Sequence, residues 1–274
     1  MKLNYYNEPP IESLDITNYQ AWENYSIPLG NGFFGGDVSV ESGEVEFILT
    51  CMSSMDIKGK MKIDSRSVVT YTGEESVCSL GGDVEIEGRL ITQGVALNLD
   101  GQEKQMVHGA LEVEELWINN GRGVIFDRDA QVKRLALRNG VVYMGENKMR
   151  VDGRLEGGSE WSYIDGRLER LLFADQGAMF PVGDGSRYGC VMVKPGQDGE
   201  VSVVFSGQQH GVATVGDYVI SQGYWAIRAE GELGVQLYYD EESGGVSGAS
   251  DIVVLESGSW EVAETMAVWS RGGK

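Results

Sequence analysis

Residues 38–49 have the sequence VSVESGEVEFIL, two runs of alternating apolar and polar residues separated by Ser42 and Gly43. Alternation with a period of two is typical of a strand with one buried face, because successive side chains point to opposite sides. A glycine-containing pair between two such runs indicates a β-hairpin. We therefore expect two adjacent antiparallel strands here.

The same alternation recurs along the chain, at residues 84–90, 111–114, 201–205 and 233–237. Turn-forming pairs punctuate these runs: Asp-Gly begins at residues 100, 152, 165, 184 and 198, and Asn-Gly at 31, 120 and 139. Such pairs supply the positive φ angles of type I′ hairpin turns. A helical pattern is confined to residues 17–25. The sequence predicts an all-β protein, an antiparallel β-sandwich or jelly-roll-like fold with many short strands joined by these turns.

A local repeat raises an alternative fold. The sequence DGRLE occurs at residues 152–156 and again at 165–169, thirteen residues later, and Asn139-Gly140 lies thirteen residues before the first copy. A solenoid needs about three or more matched units to bury a core. Because only two full copies are present, we prefer a meander with similar hairpin turns over a solenoid.

Composition limits the class of protein. The chain has 274 residues and a formal net charge of -20, with 42% hydrophobic residues. This length suits one all-β unit over residues 1–274, or two sub-sandwiches that meet near residues 175–200. The acidic charge argues against direct nucleic-acid binding. The chain has no apolar run of about 20 residues and begins with a polar segment, so we expect synthesis in the cytoplasm without a signal peptide and no membrane insertion.

Few residues suit enzyme chemistry. Cys51, Cys78 and Cys190 are widely spread and form no C-x-x-C pair, so we expect reduced thiols, with a Cys51–Cys78 disulfide as the alternative for an exported protein. His108 and His210 are the only histidines, and both lie in contexts typical of turns or strand ends. No nucleophile–base pair or zinc ligand set emerges, so we expect a protein that is not an enzyme and has no catalytic residues.

Two further patterns indicate ligands only weakly. Residues 30–35 match the dinucleotide motif G-x-G-x-x-G, but an alternating strand follows where that site needs a helix. We expect instead a tight loop around Asn31 and Gly32. The acidic segments 127–129 and 240–242 offer oxygen ligands for Ca²⁺, yet neither has EF-hand spacing, so solvated turns are the simpler interpretation and no cofactor is expected.

The beginning of the chain resembles a known family. Residues 5–10 (YYNEPP), residues 22–36 (WENYSIPLGNGFFGG) and the strand at 45–49 are similar to the N-terminal β-sandwich of family-95 glycoside hydrolases, which include α-fucosidases. The resemblance covers about residues 5–49 and implies a sandwich fold and association with carbohydrate. That family's catalytic residues lie in a helical barrel that has no counterpart here, so no catalytic residue is carried over.

Charges and aromatic residues supply candidate contact positions. Residues 121–174 hold ten basic and eight acidic residues, whereas residues 195–274 hold three basic and twelve acidic ones. The basic middle of one copy could therefore face the acidic end of the next, such as residues 240–242. Candidate interface or glycan contacts are the basic residues Arg134, Arg138, Arg150, Arg154 and Arg167 and the aromatic residues Trp161, Tyr163, Tyr224, Trp225 and Trp269.

These patterns favour a non-enzymatic structural or assembly subunit, such as a component of a phage or virus particle or of another large extracellular assembly. Its partners would be copies of itself or other particle proteins. A carbohydrate-binding β-sandwich module related to accessory domains of glycoside hydrolases is the alternative, and its partner would be a glycan.

Overall fold

The computed structural model describes residues 14–17, 24–29, 31–41, 43–49, 51–207, 214–215, 218–219, 224–239, 253–256, 259–262 and 269–270. Every helix or strand assigned in this part of the chain is a β-strand, which confirms the all-β prediction. The chain divides into two units, which meet between Gly166 and Arg167.

The first unit contains the strands β1 (Leu14–Thr17), β2 (Asn24–Leu29), β3 (Gly32–Phe34), β4 (Val38–Glu41), β5 (Gly43–Leu49), β6 (Ser54–Ile57), β7 (Met61–Ile63), β8 (Ser67–Leu80), β9 (Val84–Ile86), β10 (Arg89–Leu99), β11 (Gln105–His108), β12 (Leu111–Asn119), β13 (Val124–Phe126), β14 (Ala130–Asn139) and β15 (Val142–Gly157). Their described pairings are parallel. This unit is a β-solenoid, so the predicted antiparallel sandwich or jelly roll is wrong.

Each coil of the solenoid contributes to three stacks of parallel strands. Stack 1 contains β1, β4, β7, β9, β11, β13 and the start of β15. Stack 2 contains β2, β5 and the first parts of β8, β10, β12 and β14, followed by the middle of β15. Stack 3 contains β3, β6, the second parts of β8, β10, β12 and β14, and the end of β15.

The core of the solenoid consists of columns of apolar residues, one from each coil. One column in stack 3 runs through Met55, Cys78, Leu97, Leu116 and Leu135, which pair in register and are fully or almost fully buried. Alternate residues of a strand point inward, so each coil places one of these apolar side chains in the core. Burial of such a continuous apolar column is the main stabilising contribution that stacked coils make.

The hairpin predicted at residues 38–49 is wrong, although both of its strands exist. β4 lies in stack 1, where it pairs with β1 and β7, and β5 lies in stack 2, where it pairs with β2 and β8. The chain therefore passes from stack 1 to stack 2 between Glu41 and Gly43. The alternating run at residues 84–90 likewise belongs to two strands, β9 and β10.

The thirteen-residue repeat is not the period of the coils. In stack 1 the register partners Val38, Met61 and Val84 follow one another at intervals of 23 in sequence number, the interval that the corner bond from Lys60 to Asp37 also spans. In the later coils of stack 3 the interval falls to 19, as between Ser79 and Asn98. The first DGRLE copy lies in β15 and pairs in parallel with β14. The second copy lies in β16 (Ile164–Leu172), whose Leu168 and Glu169 pair antiparallel with Val203 and Ser202, so the two copies lie in strands with different pairings.

Polar side chains at the corners join successive coils. Asn31, Asp37 and Asp83 each accept a hydrogen bond from a backbone N–H 23 residues further on, those of Ser54, Lys60 and Met106, at 3.0, 2.7 and 2.9 Å. These contacts satisfy backbone donors at or next to the start of the strands β6, β7 and β11. The predicted loop around Asn31 and Gly32 is thus only partly right: Asn31 acts at a corner, and Gly32 begins strand β3.

The described strand pairings of the second unit are antiparallel, except that its last strand pairs in parallel. Its strands are β16, β17 (Ala178–Phe180), β18 (Val182–Gly183), β19 (Val191–Pro195), β20 (Gly199–Ser206), β21 (Thr214–Val215), β22 (Tyr218–Val219), β23 (Tyr224–Arg228), β24 (Leu233–Tyr239), β25 (Val253–Glu256), β26 (Ser259–Val262) and β27 (Trp269–Ser270). One sheet includes β16, β20 and β23, and another includes β17, β19 and β24. Phe180, Val191 and Val203 are fully buried in this unit.

Among the described residues, no helix is long and apolar enough to cross a bilayer.

Candidate ligand-binding groove

A groove with a volume of about 440 Å³ lies on the outward face of stack 2. It extends over four successive strands, β10, β12, β14 and β15, and the polar side chains that line it include Arg89, Glu112, Glu114, Gln131, Lys133 and Asp152. These side chains come together because outward positions in neighbouring coils pair in register, as Glu112 does with Gln131 and Gln131 with Arg150.

A network of hydrogen bonds fixes the middle of the groove. Glu114 accepts a bond of 2.8 Å from Lys133 and one of 3.1 Å from the backbone N–H of Gly94. The Lys133 bond, followed by that of Gly94, holds the pKa of Glu114 below its usual range. Glu114 is therefore ionised at neutral pH and forms an oriented carboxylate in the groove.

A second carboxylate lies at the β15 end of the groove. Asp152 accepts hydrogen bonds of 2.7 Å from Arg150 and from Gln131. Burial opposes ionisation of this carboxyl, but the bonds from Arg150 and Gln131 outweigh it and hold its pKa below the usual range. The planar amide of Gln131 and the planar guanidinium of Arg150 are thereby held in place.

Two charged groups of the groove have no side-chain hydrogen bond or ion pair within the described part of the chain. Arg89 and Glu112 are both exposed, and both line the groove. The groove thus combines an internally bonded middle with one cation and one anion available to a ligand. Together they can bind neutral or zwitterionic hydroxyl-bearing groups through directed hydrogen bonds.

The arginines predicted to face a partner chain mostly interact within their own chain. Arg134 pairs with Glu115 at 2.6 Å, Arg154 with Glu156 at 2.6 Å, and Arg150 with Asp152 as above. The guanidinium of Arg138 lies 3.6 Å from the centroid of the Trp117 ring, a cation–π contact. Arg167 is partly buried at the start of the second unit. The partners of Arg134 and Arg138 lie one coil earlier in the chain, a relation that the sequence does not reveal.

The predicted aromatic contacts are dispersed. Trp161 lies in a turn and is 73% exposed, whereas Tyr163 is 3% exposed, so the two do not share one exposed face. Tyr224 and Trp225 begin strand β23, and Trp225 donates a hydrogen bond of 2.7 Å to the Gly189 carbonyl. The backbone of Trp269 lies in β27, and its side chain is outside the described residues.

The acidic residues of the calcium candidate at 127–129 form hydrogen bonds within the protein. Asp127 accepts hydrogen bonds of 2.9 Å from His108 Nδ1 and from the Gly109 N–H, and the His108 bond, with burial opposing, lowers the pKa of Asp127. Asp129 accepts a bond of 3.0 Å from the Lys148 N–H. Residues 240–242 and His210 are outside the described residues. Over the part of the chain described, no three His, Cys, Asp or Glu side chains are grouped for a metal ion.

The three cysteines are free thiols, so the alternative Cys51–Cys78 disulfide is not formed. Cys51 is exposed, whereas Cys78 and Cys190 are buried. Burial raises the pKa of Cys78 to about 12. A thiol that stays protonated to that pH is a poor nucleophile, so Cys78 acts as an apolar member of the core.

No family model, curated protein or solved structure matches this chain. The resemblance of residues 5–49 to the N-terminal sandwich of family-95 glycoside hydrolases therefore stays a hypothesis.

Proposed function

We propose that this β-solenoid is a non-enzymatic glycan-binding protein and that an extended polysaccharide occupies the groove of stack 2. The observation that carries the proposal is the line of planar polar side chains across four coils, with Arg89 and Glu112 free to bond a ligand. Amide, carboxylate and guanidinium groups of this kind can bond pairs of hydroxyl groups on a sugar ring.

The shape of the groove supports an elongated ligand. Neighbouring strands of a parallel stack lie about 4.8 Å apart, so equivalent side chains recur at that spacing along the solenoid. A polymer of hydroxyl-bearing rings lying across the strands meets a new set of polar groups at each coil. A compact ligand would use only one or two coils and would leave the remaining groups solvated.

Other ligand classes fit less well. A nucleic acid is disfavoured by the net charge of -20 and by the carboxylates Glu112, Glu114 and Asp152 in the groove. The residues that dominate binding energy in protein interfaces are enriched in Trp and Tyr, and the groove contains no aromatic side chain. The charged and amide groups favour a ligand rich in hydroxyls.

Affinity electrophoresis in gels that contain polysaccharides, together with a glycan array, tests the proposal. We expect retardation by at least one polysaccharide and its loss in the double variant Arg89→Ala/Glu112→Ala. The matched control is Arg128→Ala/Glu146→Ala, which removes an exposed arginine and an exposed glutamate outside the groove. Equal retardation of both double variants, or no retardation by any polysaccharide, would contradict the proposal.

Assembly into a larger particle is our second proposal, with copies of the chain or other particle proteins as partners. The intrachain pairing of Arg134, Arg150 and Arg154 weakens the charge argument for it. Apolar exposure supports it, because Leu171 and Phe173 of the second unit are exposed by 43% and 56%. Sedimentation velocity should then show association that Leu171→Ser/Phe173→Ser reduces. A monomer at all concentrations would exclude self-assembly.

A further inference from the structure

A second polar cluster lies on the outward face of stack 3, away from the groove. Asp56, Ser79 and Asn98 occupy the same outward column on β6, β8 and β10, where each pairs in register with the next. Asp100 follows at the end of β10. Lys58 lies at the corresponding end of β6. This Asp56–Asp100 cluster contains two carboxylates, one amide, one hydroxyl and one ammonium group.

Ser79 links the members of the cluster. The Asn98 amide donates a hydrogen bond of 2.9 Å to the Ser79 hydroxyl oxygen, and the Ser79 hydroxyl bonds to the Asp100 carboxylate. On the other side, Lys58 Nζ lies 2.8 Å from Asp56 Oδ2. Asp56 and Asp100 are near enough to interact electrostatically.

Three oxygen atoms of the cluster are buried and have no hydrogen-bond partner among the described residues: the Oδ1 atoms of Asp56, Asn98 and Asp100. Asn98 is 7% exposed, so water reaches its side chain poorly. A buried acceptor without a partner is destabilising, and such groups are rare in folded proteins. Three of them within one cluster of oxygen-bearing side chains require a physical explanation.

The charges of the cluster indicate that the missing partner of these oxygens is positively charged. Asp56 and Asp100 each contribute a carboxylate, and Lys58 pairs with Asp56 alone. Two carboxylates beside a single ammonium group leave an excess of negative charge. A cation would remove that excess and would use the unpartnered oxygens.

We propose that the Asp56–Asp100 cluster is a binding site for a hard divalent cation of the Ca²⁺ type. The carboxylate oxygens of Asp56 and Asp100 are the charged ligands, and the oxygens of Ser79 and Asn98 are the neutral ones. Oxygen ligands of this mixed kind are those that Ca²⁺ prefers. The site is independent of the proposed glycan groove and differs from the calcium candidates at residues 127–129 and 240–242.

Lys58 competes with the cation for Asp56. Its side chain is 46% exposed, and exposed ion pairs contribute little to stability, so the ammonium group can move into solvent when a cation binds. This competition gives the proposal a distinctive consequence: removal of Lys58 should strengthen cation binding, whereas removal of either carboxylate should weaken it.

Calorimetric titration of the metal-free full chain with CaCl₂, combined with thermal unfolding in EDTA and in Ca²⁺, tests the site. We expect saturable binding and a higher Tm in Ca²⁺ for the wild-type protein. Asp100→Asn should abolish both effects, and Asp56→Asn should do the same. Lys58→Met should tighten binding by up to about fivefold, the change that corresponds to loss of one exposed ion pair.

Asp129→Asn is the control, because it neutralises an acidic residue of the other candidate calcium segment. It should leave the affinity for Ca²⁺ unchanged. Circular dichroism in EDTA verifies that each variant folds. The proposal is overturned if Ca²⁺ neither binds nor raises the Tm of wild type and Lys58→Met. It is also overturned if Asp129→Asn loses binding while a folded Asp100→Asn retains it.

Discussion

Gln105 stabilises the corner between stacks 3 and 1, and its replacement by leucine should unfold that corner at a measurable cost. The side chain is 2% exposed and makes four hydrogen bonds. Its Oε1 accepts from the N–H of Gly101 and from Asn120 Nδ2, each at 2.9 Å. Its Nε2 donates to the carbonyls of Leu80 and Gly82, at 2.7 and 2.8 Å. The amide thus joins three successive passes of the chain.

The size of the stability loss depends on which hydrogen-bond partners of Gln105 keep another hydrogen bond in the variant. Asn120 Nδ2 also donates to the Glu103 carbonyl, and the Leu80 carbonyl also accepts from the Asp100 N–H. The Gly101 N–H and the Gly82 carbonyl lose the partner described here. Each backbone group left unpaired in a buried place costs about 1–3 kcal/mol. The Gly101 N–H is buried, whereas the Gly82 carbonyl is only partly buried and costs less. Because leucine is similar in volume, little cavity cost is added, and Gln105→Leu should destabilise the protein by about 1–4 kcal/mol.

Urea unfolding followed by far-ultraviolet circular dichroism measures this loss as a shift in the midpoint at constant slope. The matched control is Gln131→Leu, the same substitution at an exposed position whose amide bonds only to Asp152 among the contacts described. We expect the control to change stability by no more than about 0.5–1 kcal/mol. If the two variants were equally stable, the Gln105 network would not support the corner as argued.

Four other outcomes are expected. Leu116→Ala, in the middle of a buried column, should cost about 2–5 kcal/mol in the same urea assay. A thiol reagent should label Cys51 quickly in the native protein and the buried Cys78 and Cys190 only after unfolding; fast labelling of all three would contradict their burial. Because the folded pKa of Asp100 is raised, its contribution to stability is present at low pH and is lost as pH rises through that pKa. In EDTA, Asp100→Asn should therefore be more stable than wild type at pH 7, and this advantage should shrink towards pH 3; melting curves across that range measure it. Deletion of residues 111–129, which is one full coil, should preserve the β spectrum in circular dichroism, whereas deletion of residues 105–117, a segment as long as the spacing of the DGRLE copies, should abolish it.

The sequence predicts the strands well but not their direction. Residues 111–114, 201–205 and 233–237 are strands as expected. Alternation reports that one face of a strand is buried, and this holds for parallel and antiparallel neighbours alike when the other face meets solvent. The hairpin at residues 38–49 is predicted from a glycine-containing turn pair, which does not show which strands pair with each other. For that reason the prediction is wrong.

The Asn-Gly and Asp-Gly pairs are ambiguous for a related reason. Gly140, Gly166 and Gly185 have the positive φ angles that such pairs favour. Gly32 and Gly199 instead begin strands. A solenoid also needs turn residues at each corner, so a high density of these pairs is equally compatible with hairpins and with coils.

The candidate groove escapes sequence analysis because its members are ordinary charged residues until the register is known. Glu112, Gln131 and Arg150 stand next to one another only because they occupy the same position in successive coils. The aromatic residues that sequence analysis prefers as contacts are dispersed by the same fold, with Tyr163 in the core and Trp161 in a turn. These neighbours can be identified from the sequence only when the length of each coil is known.

The period itself is hidden because it changes along the chain. In the early coils, four residues connect β5 in stack 2 with β6 in stack 3, and partners in stack 3 differ by 23 in sequence number, the interval of the bond from Ser54 to Asn31. By β12 and β14, one uninterrupted strand passes through both stacks, and the interval is 19, that of the bond from Lys133 to Glu114. Shortening of this connection accounts for most of the difference. A comparison of the sequence with itself at any single offset therefore detects only part of the solenoid.

The inward positions also share apolar character but not residue identity, as Met55, Cys78 and Leu97 illustrate. Register in this solenoid is thus maintained by burial and by the corner hydrogen bonds, which tolerate variation in coil length that a repeat search does not.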